Sequence, residues 1–185
     1  MLIIIEGVDK TGKTTLANHL MKSLPKTFMI KVGDLPKNDS YADRHKIQDY
    51  YRTISASAKL YFKDYILIQD RSIFSEIAYS FKRGYNALED KDTETTFQDL
   101  ISLNKINKVI VIYCKTDIEE IKKKFIEDGE DYAKPEEIET ILANYEEGLS
   151  RVAHFIEVWR YDYRDVLGTK EQIVRRLKLK LNIED

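Results

Sequence analysis

Residues 2–15, LIIIEGVDKTGKTT, constrain this chain more than any other stretch. Leu2 to Ile5 form a continuous apolar run, as expected of a strand buried on both faces. The run leads into Gly7-Val8-Asp9-Lys10-Thr11-Gly12-Lys13-Thr14, which fits G-x-x-x-x-G-K-[ST] at every position. A helical pattern follows at once, from Lys13 to Leu24, and stops before Pro25. The glycines let the backbone wrap a phosphate with main-chain N–H groups turned inward. The helix start adds its partial positive charge. In such a loop Lys13 reaches the β- and γ-phosphates of a nucleoside triphosphate, the Thr14 hydroxyl is the expected Mg2+ ligand, and Thr15 helps to hold the α-phosphate. Gly7, Asp9, Lys10, Thr11 and Gly12 complete the expected nucleotide-binding set. A glycine turn with a chance Gly-Lys-Thr is the alternative, and the correct elements on both flanks argue against it.

The rest of the chain repeats the same alternation. Strands are expected at Phe28–Val32, Tyr65–Gln69, Val109–Cys114 and Phe155–Trp159, with helices between them over about 41–62, 73–82, 117 onward and 135–149. Thr116 with Glu119, and Thr169 with Gln172, read as capping boxes, and Pro135 suits a first helical turn. Alternating strands and helices predict an α/β fold with a five-stranded parallel sheet and helices on both faces. No linker, repeat or low-complexity tract breaks the 185 residues, so one continuous domain spanning 1–185 is expected.

Charge and cysteine content exclude several functions. A net charge of −2 gives no global case for nucleic acid or an anionic membrane. No apolar stretch approaches the roughly 20 residues of a membrane span, and Glu6 interrupts the short apolar start, so a cytoplasmic protein without a membrane partner is expected. The single cysteine, Cys114, excludes an internal disulfide and a cysteine-built zinc site, and its apolar run KVIVIYCK points to packing rather than reactivity. The three histidines lack ligand spacing and read as structural.

The stretch YILIQDRSIFSEIAYS places Asp70 at a strand's carboxyl end, the position of a metal-organising acid facing a phosphate loop. Arg71 follows, well placed to grip the phosphate of a second substrate. Ser75 and Tyr79 lie four apart on one helix face and would line the same cavity. The plainer alternative is that Arg71 pairs with Asp70 and Tyr79 is core. A guanine reader of the Asn-Lys-x-Asp type is absent; the nearest string, NKIN at 104–107, ends in asparagine and precedes its strand, so a GTPase reading is weak.

Together IIIEGVDKTGKTT and DRSIFSEIAYS resemble the thymidylate kinases, whose pattern is an E-G-x-D/E-x-x-G-K-[ST]-T loop and a D-R-x-x-x-S-x-x-A-Y stretch. The string GEDYAKPEEIETILANYEEGL is similar to the lid and following helix of small phage-type members. The resemblance implies a nucleoside monophosphate kinase that transfers the γ-phosphoryl group of ATP, with Mg2+, to a deoxynucleoside 5′-monophosphate, dTMP or a related, including modified, pyrimidine nucleotide. It implies a lid at about 122–136 and is compatible with a homodimer. By matching positions, Asp9 would touch the acceptor sugar or the metal shell, and Lys10 would be the loop-borne cation that stabilises the transferring group. Asp70 would organise metal and acceptor, Arg71 would grip the acceptor phosphate, and Tyr79 would oppose a 2′-hydroxyl. One branch of the family carries its cation in the lid instead. Here KKKFIEDGEDYAKPEE has no arginine, so Lys10, with Lys13, Asp70 and Arg71, is the expected catalytic set. Lys122, Lys123 or Lys134 would be auxiliaries, although a solvated helix face is the preferred reading of 122–124. Asp131 and Tyr132 would join the lid by resemblance only.

Two departures put the acceptor base in question. Glu76 stands where the family usually has a small or amide residue near the base. It either accepts a hydrogen bond from a base N–H or faces solvent. The expected Pro-Arg after the second strand is replaced by GDLPKNDSYADRHK, with Lys37 near the proline, so Arg44 and Arg52 are the candidate acceptor-site cations, or else surface arginines. The competing functions are a deoxynucleoside kinase, a polynucleotide or modified-base DNA kinase, and a nucleotide-binding module without transfer activity.

Overall fold

A parallel sheet cannot be built from hairpins, so each strand must be followed by a crossover, and helices supply it. The structure, a computed structural model, describes residues 1–31, 46, 47, 49–54, 65–129, 132–165 and 169–183. Its strands are β1 (Leu2–Glu6), β2 (Thr27–Lys31), β3 (Ile66–Asp70), β4 (Val109–Cys114) and β5 (Glu157–Tyr161). They form one sheet in the order β2-β3-β1-β4-β5, with every neighbouring pair parallel. The helices are α1 (Lys13–Ser23), α2 (Ile73–Tyr79), α3 (Lys91–Ile106), α4 (Ile118–Asp128), α5 (Ile138–Val152) and α6 (Lys170–Leu181). Residues 46, 47 and 49–54 are also helical.

Strand alternation divides the core into two layers. Leu2 and Ile4 pack with Leu67, Val109, Val111 and Tyr113 against Phe74, Leu100, Ile121 and Tyr145 of α2 to α5. Ile3 and Ile5 pack with Ile68, Ile110, Ile112 and Trp159 against Leu16 and Leu20 of α1 and Ile173 and Leu177 of α6. The continuous apolar runs of β1, β3 and β4 are therefore covered on both faces, whereas the edge strand β2 has no buried residue. Each fully buried aliphatic side chain contributes about 1.5–3 kcal/mol. The chain runs to one side of β1 and then to the other, which puts the topological switch at the carboxyl end of β1, where a ligand crevice is expected. No helix among the described residues is long and apolar enough to cross a membrane.

Several expected boundaries move. The last strand is Glu157–Tyr161, two residues later than the apolar run suggested, because α5 ends at Val152 and Phe155 lies in the following turn, 58% exposed. The helix expected over 73–82 is α helix only to Tyr79 and tightens into a 3₁₀ turn at Ser80–Arg83. Asp117, not Thr116, caps α4, accepting from the N–H groups of Glu119 and Glu120 at 3.0 and 3.3 Å. Thr169 does cap α6, accepting from the Gln172 N–H. Of the helix expected over 41–62, most lies outside the described residues. Cys114 is fully buried, and burial pushes its thiol up to about 12.

Candidate active site

The loop after β1 is shaped by what its backbone must pass. Gly7 has φ +138°, and a Cβ there would stand 2.1 Å from the carbonyl oxygen of Cys114 at the end of β4. Only glycine fits that approach. Gly12, at φ +85°, opens α1 without any side-chain cap, so the first N–H groups of the helix stay available to a ligand. Thr11 Oγ1 donates to the Val8 carbonyl at 2.7 Å and closes the loop on itself. The Lys13 ammonium is buried and donates to the Val8 carbonyl at 2.7 Å and to Asp9 Oδ1 at 3.2 Å. Thr14 and Thr15, in the first turn of α1, are exposed.

β3 delivers the second half. Arg71 has φ +72°, a conformation that non-glycine residues rarely take. Its guanidinium donates to Asp9 Oδ1 across the gap between the two loops and to Ser75 Oγ at 3.2 Å. The expected alternative pairing with Asp70 is thus replaced by a pairing with Asp9. The Arg71 guanidinium also lies 6.0 Å from the centre of the Tyr79 ring. Burial would raise the Asp9 carboxyl, but Lys13 and Arg71 outweigh it and hold the group below the usual carboxylate range. Lys13 is lowered by its own burial and by the nearby Arg71, with Asp9 opposing. Asp70 Oδ1 is buried with no hydrogen-bond partner among the described residues. That bare oxygen, in the same cavity as the Thr14 hydroxyl, fits a hard divalent cation.

Both loops open into a cavity of about 610 Å3. Asp9, Lys10, Gly12, Lys13, Thr14 and Thr15 line one side, and Asp70 and Arg71 another. The third wall joins Lys124 and Asp128, from the stretch expected to be a lid, to Tyr163, which was not foreseen. Lys10, left-handed at φ 66°, reaches Asp128 at 3.2 Å. Lys124 pairs with Glu120 at 3.0 Å and its ammonium stands 4.4 Å from the centre of the Tyr163 ring, whose hydroxyl it also bonds. A signal existed in the sequence: 120, 124 and 128 are four apart and share one face of α4. Tyr163 had none, since its place beside Gly12 depends on where β5 ends.

The remaining expected residues divide. Ser75 and Tyr79 are buried on the α5 side of Arg71 rather than lining this cavity. Glu76 does not face solvent: it is 1% exposed, paired with the Arg83 guanidinium and accepting from the Tyr85 hydroxyl. Arg83 in turn donates to Tyr132 at 2.6 Å, in the stretch expected to be a lid. Arg52 pairs with Asp99 of α3 at 3.8 Å, away from the cavity. Lys122 pairs with Glu119 and Glu139, and Lys123 with Glu127, as a solvated face expects, but Lys124 of the same run turns to the cavity against that reading, while Lys134 is exposed. Arg44, Lys37 and Asp131 lie outside the described residues.

No family model matches the chain. Individual proteins do. A thymidylate kinase homologue of the Acidianus bottle-shaped virus is 31% identical over 115 residues, 62% of this chain and 70% of that one. An archaeal thymidylate kinase homologue of Archaeoglobus fulgidus is 30% identical over 104 residues, and the match spans 53% of its length, about half. The uncharacterised prophage-derived protein YorR of Bacillus subtilis is 29% identical over 159 residues, 85% of this chain. The YorR crystal structure superposes with a TM-score of 0.69 at 24% identity over 99% of this chain and 96% of that one. The thymidylate kinase of Candida albicans does so with a TM-score of 0.61 at 19% identity, covering 99% of this chain and 93% of that one. On this kinship, with a five-stranded parallel sheet and a phosphate-loop sequence without departure, the chain belongs to the thymidylate kinase-like family of P-loop kinases.

Proposed function

We propose that the protein is an ATP- and Mg2+-dependent kinase of deoxynucleoside 5′-monophosphates, with dTMP or a related pyrimidine nucleotide as acceptor, built as one domain over 1–185 with a lid at about 122–136. One observation carries the reading. Arg71 and Lys13 converge on Asp9 from two different loops, at the mouth of a cavity that also holds Lys10. A site that only binds a triphosphate has no need of an arginine on the opposite loop; a site that must bring two phosphates together does.

Phosphoryl transfer asks the protein for alignment and for positive charge where the equatorial oxygens gain negative charge. Lys13 and the inward N–H groups of the loop hold the donor phosphates. Arg71 holds the acceptor phosphate and faces the donor across Asp9. Lys10 stands at the rim, on the side of α4, as the cation for the transferring group. Mg2+, held by the Thr14 hydroxyl and the Asp70 carboxylate, would neutralise charge on the donor oxygens. Glu76, Ser75 and Tyr79, buried behind Arg71, support the acceptor side of the site. The acceptor phosphate needs no general base, and among the described residues no histidine lines the cavity.

A deoxynucleoside kinase is the second reading. Structures of the deoxyadenosine kinase of M. mycoides, one with dCMP and dCDP and one with dATP, superpose with TM-scores of 0.56 and 0.57. The YorR structure is in complex with phosphorylated GDP, so related sites accept both purine and pyrimidine nucleotides. Arg71 favours a phosphorylated acceptor, because a free nucleoside offers it no anion. The test is a transfer panel with Mg-ATP: the deoxynucleoside monophosphates including dGMP, hydroxymethyl-dUMP, free deoxynucleosides and a 5′-hydroxyl oligonucleotide, with Lys13→Ala as control. Turnover of dTMP above all others is expected. Turnover of free nucleosides alone would transfer the reading to the second class, and bound ATP without any transfer would leave a binding module.

A further inference from the structure

Glu6 closes β1 just before the phosphate loop and has no solvent exposure at all. A buried carboxylate is costly unless donors surround it. Here Oε1 accepts from both the N–H and the hydroxyl of Ser72, the latter at 2.7 Å, and Oε2 accepts from Ser75 Oγ at 2.7 Å. All three donors belong to the segment just after Arg71. One residue earlier, the Arg71 N–H donates to the Ile5 carbonyl at 3.0 Å. Consecutive groups at the end of β1, the Ile5 carbonyl and the Glu6 side chain, therefore hold consecutive N–H groups on either side of the left-handed Arg71.

Two details set this apart from ordinary helix-end bonding. Ser72 occupies the N-cap position of α2, where a serine hydroxyl usually accepts from its own helix, yet it makes no capping bond and turns to Glu6. Ser75, already bound to Glu6 and Arg71, stands 3.0 Å from the Tyr145 hydroxyl, which donates to the Gly7 carbonyl at 3.2 Å. One buried network thus joins the start of the phosphate loop to the turn that carries Asp70 and Arg71.

We infer that Glu6 is a positioning residue: its carboxylate sets the spacing between the phosphate loop and Arg71, and hence between donor and acceptor phosphates. The inference rests on the kinase reading above. It acts on geometry rather than charge, so an amide should serve. In Glu6→Gln, the amide oxygen keeps both Ser72 bonds, and the amide N–H replaces the carboxylate as the partner of Ser75 Oγ. Glu6→Ala removes all three.

The experiment is steady-state kinetics with Mg-ATP and the best monophosphate acceptor on parent, Glu6→Ala, Glu6→Gln and Ser72→Ala. A misplaced clamp costs about tenfold to hundredfold, so the acceptor KM should rise by that factor in Glu6→Ala while the KM for ATP stays within about threefold. Glu6→Gln should recover both values. Ser72→Ala, which loses one bond and no cap, should raise the acceptor KM by a few-fold, and Glu6→Ala/Ser72→Ala should be no worse than Glu6→Ala alone. An unchanged acceptor KM, equal rises in both KM values, or a Glu6→Gln as impaired as Glu6→Ala overturns the inference. If Glu6→Ala does not fold, Ser72→Ala decides, and an acceptor KM equal to that of the parent overturns it. A parent that transfers to no monophosphate removes the kinase reading first, and the inference with it, before any variant is compared.

Discussion

Lys10 and Lys13 are three residues apart on one loop and do different work because their surroundings differ. Lys13 is buried and tied to the loop's own Val8 carbonyl, whereas Lys10 is exposed and, among the described residues, pairs with Asp128. A cation that holds the donor in the ground state contributes to binding and turnover alike; one whose contact forms in the transition state contributes to turnover alone. Lys13→Ala is expected to weaken ATP binding and turnover together. Lys10→Ala is expected to lower kcat by about a hundredfold or more with ATP affinity nearly unchanged. Titration with a non-hydrolysable ATP analogue beside steady-state kinetics separates the two, and equal losses in Lys10→Ala would remove its proposed role. Asp128 adds a second expectation. It puts a carboxylate in a cavity otherwise fit for phosphates and engages Lys10 there. An exposed pair of this kind is weak, so Asp128→Asn should lower the KM for ATP by about twofold to fivefold, less at high salt.

At the scale of elements, the geometry depends on how closely β1, β3 and β4 bring their carboxyl ends together. Gly7 sits where the phosphate loop crosses the end of β4, with no room for a methyl group beside the Cys114 carbonyl. Gly7→Ala must push the two strand ends apart or rebuild the loop. ATP binding should be lost while circular dichroism still reports a folded sheet, and normal ATP affinity in that variant would refute the packing argument. The sequence already marked this glycine, because a motif glycine after a buried strand has a backbone reason to be there. It could not choose the α4 cap, since Thr116 and Asp117 are both competent and adjacent. Nor did it reveal Arg83 as the partner of Glu76, seven residues on, because the chain passes from α helix into a 3₁₀ turn between them.

Across the whole molecule, α5 is joined to the sheet by charge as well as by apolar packing. Glu146 accepts two hydrogen bonds from Arg160 of β5, both at 2.7 Å, and one from Lys115 after β4 at 2.8 Å. Those bonds, from Arg160 first, hold its carboxyl down to about 2, against an ordinary value of 4.5. A carboxyl lowered by folding stabilises the folded state above its ordinary value and loses that contribution as pH falls. Stability should therefore decline between pH 4.5 and about 2. Urea midpoints measured across this window should fall less steeply in Glu146→Gln than in the parent; identical slopes would assign the decline to other carboxylates.

The sequence alone determined the phosphate loop, the order of strands and helices along the chain, the burial of the central strands on both faces, and Asp70 and Arg71 as the second half of the site. These are local properties: a glycine where the backbone needs one, an apolar run long enough for a strand, a charged pair at the strand's end. Only the tertiary structure decided which charges meet. Arg71 takes Asp9, 62 residues earlier, rather than its neighbour Asp70. Asp128, Lys124 and Tyr163 come from two other segments to complete the cavity, and Glu6 reaches 66 residues along the chain to Ser72. The reason is physical. A hydrogen bond or ion pair depends on separations of a few ångströms, and in a parallel sheet those separations are set by crossovers that place distant segments side by side, which no pattern within one segment records.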